Sequence, residues 1–305
     1  MNEFIRQAAC SLGLDACRIT VPGISQSDAR RFNDWLSSGY AGEMIYMNRN
    51  VFLRTHPETL AEGMKSVVCV AMRYASLPLK NYSRYVLSRY AYGKDYHEVL
   101  KEKLYQLLTL IKEKDPEVSG RVCVDSVPVP EHALAGNAGL GWIGKNSLLI
   151  VPGMGSYVFL GELFLTLELN PDHPVPPRCG TCTRCMEACP AGAIVAPYTL
   201  DARKCLAYRT IEYRGDFSPG ESLHNRVFGC DLCQEACPWN QKIPVSVHGE
   251  FQPSGELESM SDEDWESLTE TRFKELFADS ALMRAGYKGL VRNIKKIGED
   301  SGSPE

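Results

Sequence analysis

The residues best able to do chemistry in this chain are its cysteines, most of which lie in two short runs. The chain has 12 cysteines. Seven of them form runs that each end in Cys-Pro: Cys179, Cys182, Cys185 and Cys189, then Cys230, Cys233 and Cys237. The first run has the spacing C-x2-C-x2-C-x3-C-P, which is the ligand pattern of bacterial ferredoxins. This spacing predicts iron–sulfur clusters and therefore the transfer of single electrons.

The second run lacks its first cysteine at the usual distance, and Cys205 supplies the eighth thiol. In two-cluster ferredoxins the fourth cysteine of a run ligates the other cluster. This crossover predicts two 4Fe-4S clusters with these ligands: Cys179, Cys182, Cys185 and Cys237 for one, and Cys205, Cys230, Cys233 and Cys189 for the other. The alternative assignment exchanges Cys189 and Cys237.

Zinc is the main alternative for these cysteines, because paired C-x2-C sequences also form closed zinc sites. A disulfide framework is not expected, since Met1-Asn-Glu-Phe-Ile-Arg carries charge early and does not resemble a signal peptide. We therefore expect a cytoplasmic protein whose clustered cysteines bind metal. The remaining cysteines stand in apolar surroundings and are predicted to be buried, unreactive thiols: Cys10, Cys17, Cys69 and Cys123.

Length and charge restrict the possible partners. The chain has 305 residues, enough for about two domains, and a formal net charge of −5. No apolar run reaches the roughly 18 residues that a membrane-spanning helix needs. Because the chain is acidic, a nucleic-acid partner would need a local basic surface. Basic residues near the cysteines either form that surface or are ordinary solvated side chains: Arg203, Lys204, Arg209, Arg214 and Arg226.

The elements that precede the cysteines alternate between helix and strand. Apolar residues at helical spacing predict a first helix that ends at Gly13 and a second over 96–114. Apolar runs predict buried strands at 66–72, 121–125 and 157–169. This alternation indicates an α/β fold in which helices cover a sheet.

A proline-rich segment just before the first cysteine ligand marks a domain boundary. The predicted domains are an α/β domain over 1–170, a ferredoxin-like domain over 171–245 and a short helical segment over 246–305. Within the last segment, the acidic stretch 261–278 is predicted to be helical.

Asp125 and the glycines that follow it are the most informative residues of the first domain. Asp125 ends a predicted strand, where its carboxylate would lie at the edge of a pocket, although such residues are more often turn or cap residues. Gly139, Gly141 and Gly144 would permit tight turns and the close approach of backbone to a ligand. A strand-like run follows them, so this G-x-G-x-x-G does not predict a Rossmann nucleotide site.

Taken in order, several segments resemble the epoxyqueuosine reductases, which are cobalamin-dependent iron–sulfur enzymes that act on transfer RNA. They cover most of 50–240 and include Arg54-Thr-His-Pro57, Tyr92-Gly-Lys-Asp-Tyr-His97, Val124-Asp125-Ser, Ala138-Gly-Leu-Gly-Trp-Ile-Gly-Lys-Asn146, Gly155-Ser-Tyr-Val and Gly229-Cys-Asp-Leu-Cys-Gln. The resemblance implies a nitroreductase-like α/β domain that holds cobalamin, followed by a two-cluster bacterial ferredoxin-like domain.

The resemblance also implies a reaction, the last step of queuosine biosynthesis. Epoxyqueuosine would be reduced to queuosine at the wobble position of the tRNAs for aspartate, asparagine, histidine and tyrosine. Electrons would pass from a donor such as flavodoxin or ferredoxin, through the two 4Fe-4S clusters, to cobalamin. A monomer without membrane association is expected.

The site residues implied by the resemblance centre on Asp125, which matches the family's proton donor. That role requires a carboxyl pKa raised by burial. Glu131, His132 or a water molecule would be the alternative proton sources. The implied contacts with cobalamin are Arg54, Ser88, Asp125, Asn146, Leu149, Ala207, Asp231 and Leu232.

Two departures from the family pattern bear on the site. Some members have a cysteine near the upper face of cobalamin where this chain has Ser88, so a thiol is not required there. Many members continue into C-terminal helical repeats that help to hold tRNA, whereas this chain ends soon after 291–296. The basic C-terminal end, or the arginines near the cysteines, would then hold the tRNA.

Two other functions fit the same residues. A relative of the reductive dehalogenases would use cobalamin and clusters on a small molecule, although those enzymes typically carry export signals. A non-catalytic electron carrier would use the first domain only for docking. Binding of cobalamin separates the carrier from both enzymes.

Overall fold

The computed structural model describes residues 1–79 and 83–301. Its α-helices are α1 Asn2–Ser11, α2 Gln26–Ser37, α3 Ile45–Asn48, α4 Val51–Thr55, α5 Tyr96–Lys114, α6 Glu131–Asn137, α7 Arg184–Glu187, α8 Leu206–Ile211, α9 Leu232–Glu235, α10 Gly255–Ser259, α11 Asp262–Glu266, α12 Glu270–Phe277 and α13 Gly286–Ser301. Its β-strands are β1 Ala16–Thr20, β2 Ser66–Arg73, β3 Val86–Leu87, β4 Gly120–Cys123, β5 Trp142–Ile143, β6 Leu149–Ile150, β7 Val158–Leu165, β8 Ile194–Ala196, β9 Thr199–Leu200 and β10 Arg226–Phe228. Within the described ranges, no helix is long and apolar enough to cross a membrane.

A four-stranded sheet with the order β1–β2–β7–β4 forms the centre of the N-terminal half. All of its neighbouring strands are antiparallel. The central pair, β2 and β7, is continuous from Ser66 opposite Leu165 to Arg73 opposite Val158. Both faces of this pair are covered, which explains why the two strands are almost uninterrupted apolar runs. The buried strands predicted at 66–72 and within 157–169 are confirmed.

Helices cover both faces of the sheet and form two apolar cores. On one face, α1 and α5 contribute Ile5, Leu100 and Leu104 to the core. On the other, α6 contributes Leu134 and Ala135. The predicted helix over 96–114 is confirmed as α5, and the first predicted helix is α1, followed by Gly13 at φ +80°.

The chain leaves the sheet at Asp125. Strand β4 ends at Cys123, two residues before the predicted end, and Asp125 adopts a left-handed conformation with φ 47°. A residue in this conformation cannot continue a strand. Helix α6, which the sequence patterns did not predict, begins six residues later at Glu131.

The glycine-rich segment packs against protein backbone. A Cβ atom on Gly139 would lie 2.1 Å from the carbonyl oxygen of His173, and one on Gly141 would lie 2.2 Å from that of Ile150. Gly139 and Gly141 therefore allow close approach between two segments of the chain itself. The close approach of this segment to a ligand stays a prediction.

The cysteine-rich region and the C-terminal segment share a third apolar core. The parallel pairing of β3 with β10 ties this region to the chain that precedes α5. Buried Asn293 of α13 donates hydrogen bonds to the carbonyl oxygens of Thr210 and Val227, at 2.8 and 2.9 Å. These contacts attach the last helix to the cysteine-rich region.

Two further predictions need correction. The stretch 261–278 is two helices, α11 and α12, because Ser261 and Thr269 each begin a helix by accepting a hydrogen bond from a backbone N–H three residues later. Cys17, Cys69 and Cys123 are buried as predicted, but Cys10 is exposed. It follows buried Ala9 on α1, and one residue turns a helix by about 100°, away from the core.

Candidate active site

The eight clustered thiols form two sets. In the first, burial and then the charges of Cys237, Cys179 and Cys182 raise the pKa of Cys185. Cys237 therefore lies with the first run rather than with its own. Thiolates packed this closely repel one another, so they require a positively charged partner to stay deprotonated.

The second set contains Cys205, Cys189, Cys230 and Cys233. Burial raises the pKa of Cys205, and the charge of Cys189 adds to the shift. Burial and then the charges of Cys205 and Cys230 raise the pKa of Cys233.

Asn146 connects the second thiol set to the first domain. A hydrogen bond from its side chain lowers the pKa of Cys233, against the stronger effect of burial. The Asn146 Nδ2 atom is buried and has no nitrogen or oxygen hydrogen-bond partner among the described residues. It is therefore a donor that a bound molecule could use.

Asp125 lies on the wall of a cleft. Its side chain is 56% exposed, yet the surrounding protein strongly desolvates it. Burial raises the pKa of Asp125, but the hydrogen bond and charge of His97, and a hydrogen bond from Tyr96, outweigh this effect and lower the pKa below its ordinary value. The prediction of a raised pKa is therefore wrong, because the sequence did not reveal the cation beside the carboxylate.

His97 bridges two carboxylates. Its Nδ1 lies 2.6 Å from Asp95 Oδ1, and its Nε2 lies 2.9 Å from Asp125 Oδ2. Burial lowers the pKa of His97, but hydrogen bonds and charges from Asp125 and Asp95 raise it to about 9. The imidazole is therefore protonated on both nitrogens at neutral pH, and its Nε2–H group donates a hydrogen bond to Asp125.

The mouth of the cleft is formed by three distant parts of the chain. Burial lowers the pKa of Arg54, while Tyr46, Asp125 and Glu131 act in the opposite direction. The buried Arg54 Nε has no hydrogen-bond partner among the described residues. Arg284, from the C-terminal segment, forms an ion pair with Glu212 at 3.0 Å and lies 5.5 Å from the centre of the Tyr46 ring.

The other residues predicted to contact cobalamin differ in their surroundings. The Ser88 hydroxyl donates to Asp231 Oδ1 at 2.5 Å, and the Arg89 N–H donates to Asp231 Oδ2 at 2.8 Å. Ser88, Asp231 and Leu149 are 4%, 3% and 2% exposed, about as buried as Asn146, and their contacts with cobalamin stay a prediction. Ala207 and Leu232 are half-buried and remain accessible.

Two arginines of the predicted basic surface are used inside the protein. Arg209 binds Glu221 through two nitrogens and lies 3.7 Å from the centre of the Tyr213 ring. Arg214 donates to two backbone carbonyls of the C-terminal segment. At the basic C-terminal end, Arg292 likewise donates to backbone carbonyls. Arg203 pairs with Asp201 but is 52% exposed, so a smaller basic surface near the cysteines stays a prediction.

The sequence reasoning missed His97, Asp95 and Arg284 as parts of the site. His97 and Asp95 lie in a segment that carries the family resemblance, which was a usable signal. Arg284 had no such signal, because only the packing of the C-terminal segment brings it near Asp125.

Two family models match the chain. The one described as "Epoxyqueuosine reductase QueG, DUF1730" matches residues 54–126, and the one described as "4Fe-4S double cluster binding domain" matches residues 178–240. The second match identifies the cysteine-rich region as a double-cluster domain and sets the zinc alternative aside.

Proteins named epoxyqueuosine reductase are similar to this chain over nearly its full length. The protein from Cellulophaga algicola is 42% identical over 296 residues, which is 96% of each chain. The protein from Leadbetterella byssophila is 43% identical and covers 98% of each chain. The protein from Escherichia coli is 39% identical over 96% of this chain and 79% of its own length.

Solved structures agree with these relatives. An epoxyqueuosine reductase in complex with an epoxyqueuosine-modified tRNA-Tyr stem loop superposes with a TM-score of 0.89, at 31% identity, over 97% of this chain and 80% of its own. The Bacillus subtilis enzyme, solved with its catalytic aspartate loop swung out of the active site, has a TM-score of 0.88 at 30% identity. This chain therefore belongs to the epoxyqueuosine reductase family of oxidoreductases.

Proposed function

We propose that this chain reduces epoxyqueuosine to queuosine at the wobble position of the tRNAs for aspartate, asparagine, histidine and tyrosine, the last step of queuosine biosynthesis. The observation that carries the proposal is the protonated His97 bound to Asp125, a carboxylate that the surrounding protein desolvates. Conversion of an epoxide to an alkene consumes two electrons and two protons and releases water. The cleft has a proton source, and the cysteine-rich domain has the ligands of an electron source.

The eight thiols are proposed to bind two 4Fe-4S clusters, one per set. Cys179, Cys182, Cys185 and Cys237 would hold the first cluster, and Cys189, Cys205, Cys230 and Cys233 the second. The grouping of their charges supports this assignment over the exchange of Cys189 and Cys237. A donor such as flavodoxin or ferredoxin would supply the electrons to a monomer acting in the cytoplasm.

The cleft fits cobalamin in the chemistry of its donors. Among the described residues, Arg54 Nε is a buried donor without a partner, and Asn146 Nδ2 has no nitrogen or oxygen partner besides its contact with Cys233. Cobalamin carries amide and phosphate oxygens that accept such bonds. We propose that Arg54 and Asn146 hold it in a nitroreductase-like α/β domain, with Ala207 and Leu232 reaching it from the cluster side. When bound, cobalamin supplies a reduced metal centre able to attack carbon.

The protein's own part in the reaction is to deliver a proton. The oxygen released from an opening epoxide is strongly basic and needs a proton donor close to it. Asp125 would face that oxygen, and the His97 proton would reach it through the Asp125 carboxylate. Asp95, on the far side of the ring, holds the imidazole in the orientation that points Nε2 at Asp125.

The tRNA is proposed to dock at the mouth of the cleft. Tyr46, which lies beside Arg284, is 39% exposed, and exposed aromatic rings are the usual stacking partners of unpaired RNA bases. Arg284, which is 56% exposed, would contact a phosphate. This surface would act in place of Arg209 and Arg214, which the protein uses internally.

The proposal is tested by anaerobic reconstitution with iron, sulfide and cobalamin, followed by turnover of epoxyqueuosine-containing tRNA with a one-electron reductant. Mass spectrometry of the nucleosides should show loss of one oxygen that depends on cobalamin. Asp125→Asn should retain both clusters and cobalamin but lose turnover by about a hundredfold or more. Full cofactor loading without loss of oxygen would refute the proposal and favour a small-molecule substrate, whereas failure to bind cobalamin would favour an electron carrier.

A further inference from the structure

The proposed mechanism leaves one buried pair of titratable groups unexplained, Glu131 and Glu162. Glu162 lies in the middle of β7 and is 0% exposed. Its neighbours across the sheet are Cys69 on β2 and Cys123 on β4. An isolated carboxylate in such a place would be very costly, so this residue needs a specific partner.

The partner of Glu162 is Glu131, the first residue of α6. Glu162 points to the face of the sheet on which α6 packs, since Leu160 and Phe164 of the same strand face join the α6 core. The two carboxyl groups lie close enough for each to shift the pKa of the other. Neither Glu162 oxygen accepts a hydrogen bond from an N–H or hydroxyl group among the described residues. Two buried carboxyl groups without another donor can pair only if one of them carries a proton, so the pair holds a shared proton.

Glu131 in turn contacts the loop that carries Asp125. The Asp125 backbone N–H donates to Glu131 Oε1. Asp125 is in the left-handed conformation, which a residue other than glycine keeps only when its surroundings hold it there. This hydrogen bond holds the Asp125 backbone directly. Glu131, which accepts it, is itself paired with Glu162.

The other charged groups around the pair agree with a single shared proton. Burial, and then the charge of Asp125, raises the pKa of Glu131 to about 8, while His97 opposes the shift. Arg54 also faces Glu131. The two thiols beside Glu162 are neutral, because burial raises the pKa of Cys123 to about 12 and that of Cys69 well above its ordinary value. Burial and then the charge of Glu131 raise the pKa of Glu162 well above its ordinary value, so the pair keeps one proton after Glu131 ionises near pH 8.

We propose that Glu131 and Glu162 are positioning residues for Asp125, and that their shared proton holds the Asp125 loop in the conformation that places its carboxylate against His97. The proposal deepens the proposed function and rests on it for the role of Asp125. If the shared proton is lost, two negative charges meet in a buried site, Glu131 moves away from Glu162, and the loop is released.

Infrared spectroscopy of the cluster-loaded protein tests the shared proton without any substrate. The wild-type spectrum should contain the C=O stretching band of protonated, buried carboxyl groups at neutral pH, and part of that band should remain above pH 8, because the pKa of Glu162 is also raised well above its ordinary value. In Glu162→Gln the part that remains above pH 8 should be absent, because Glu131, the other carboxyl of the pair, loses its proton as pH rises through about 8. Absence of the band above pH 8 from wild type, or its persistence there in this isosteric variant, would overturn the shared proton.

Hydrogen exchange tests the effect on the loop. In Glu131→Met, which keeps the size of the side chain without an acceptor, the peptide over 124–130 should exchange about tenfold faster than in wild type. In Glu131→Gln, whose carbonyl can accept the Asp125 N–H, protection should return. Exchange in Glu131→Met at the wild-type rate would overturn the positioning role.

Turnover distinguishes this proposal from the proposed function. Glu131→Met should lower kcat about tenfold and leave KM for tRNA unchanged, because the substrate surface is intact. If wild type shows the band and the protection but does not reduce epoxyqueuosine, the proposed function fails and the carboxyl pair stands. If wild type turns over without the band, the carboxyl pair fails alone.

Discussion

Among single residues, His97 decides how Asp125 can work. A carboxyl group whose pKa is lowered is ionised at neutral pH and is a poor proton donor by itself. The Asp125 carboxylate, however, lies 2.9 Å from Nε2 of the His97 imidazolium, which holds a proton that it can supply. The sequence motif placed both residues in a functional segment without showing that they touch. Their contact depends on the start of α5 lying beside the end of β4.

The pH dependence of turnover should report the protonation of His97. The pKa of His97 is raised to about 9, so its proton-bearing form is present below that pH and is lost above it. We expect kcat to fall as pH rises through about 9. His97→Gln should remove this alkaline fall and lower kcat about a hundredfold.

Asp95→Asn is the matched variant for comparison with His97→Gln. Asparagine caps the start of α5 as well as aspartate does, so the helix should be preserved. Loss of one carboxylate beside the imidazole should lower the pKa of His97 and move the alkaline fall in kcat to lower pH. If neither variant changes the pH profile, the proton does not come from His97.

At the level of elements, the approach of α5 to β7 is a close packing contact behind the site. Gly161 makes it possible, since a Cβ at that position would lie 2.9 Å from Leu104 Cδ1 and 3.1 Å from Leu100 Cδ2. Glu162 is the next residue on the same strand. The two glycines of the G-x-G-x-x-G segment that touch backbone serve similar close contacts, so a motif known for ligand binding here serves packing.

Gly161→Ala should destabilise the fold by about 1–3 kcal/mol, the usual cost of overpacking a core. The matched control is Gly136→Ala on α6, where a Cβ would meet nothing within 4 Å and alanine is the better helix former. Thermal unfolding of the cluster-loaded variants measures both. Equal midpoints for the two variants would show that α5 and β7 are not packed this closely.

Across the whole molecule, the C-terminal segment belongs to the active site. It carries Arg284 to the mouth of the cleft, where it meets Tyr46 and Glu212. The predicted domain boundary at residue 246 follows the sequence pattern. In the structure, one apolar core includes residues from both sides of that boundary.

Arg284→Ala should raise KM for epoxyqueuosine-containing tRNA several-fold and reduce the salt dependence of binding, because one phosphate contact is lost. Arg272→Ala is the matched control, an exposed arginine paired with Glu256 and Glu275. Steady-state turnover at two salt concentrations measures both variants. Equal KM values in wild type and Arg284→Ala would exclude Arg284 from the RNA surface.

The sequence by itself determined the double-cluster domain, the buried strands β2 and β7, the helix α5 and the family, because spacing and apolar periodicity act over a few residues. Only the tertiary structure placed His97 beside Asp125, where the imidazole becomes positively charged. It also brought Glu131 close to Glu162, and Arg284 close to Asp125. These contacts join residues from separate elements. Their pKa values depend on desolvation and on nearby charges, and both of these arise only when the chain is packed.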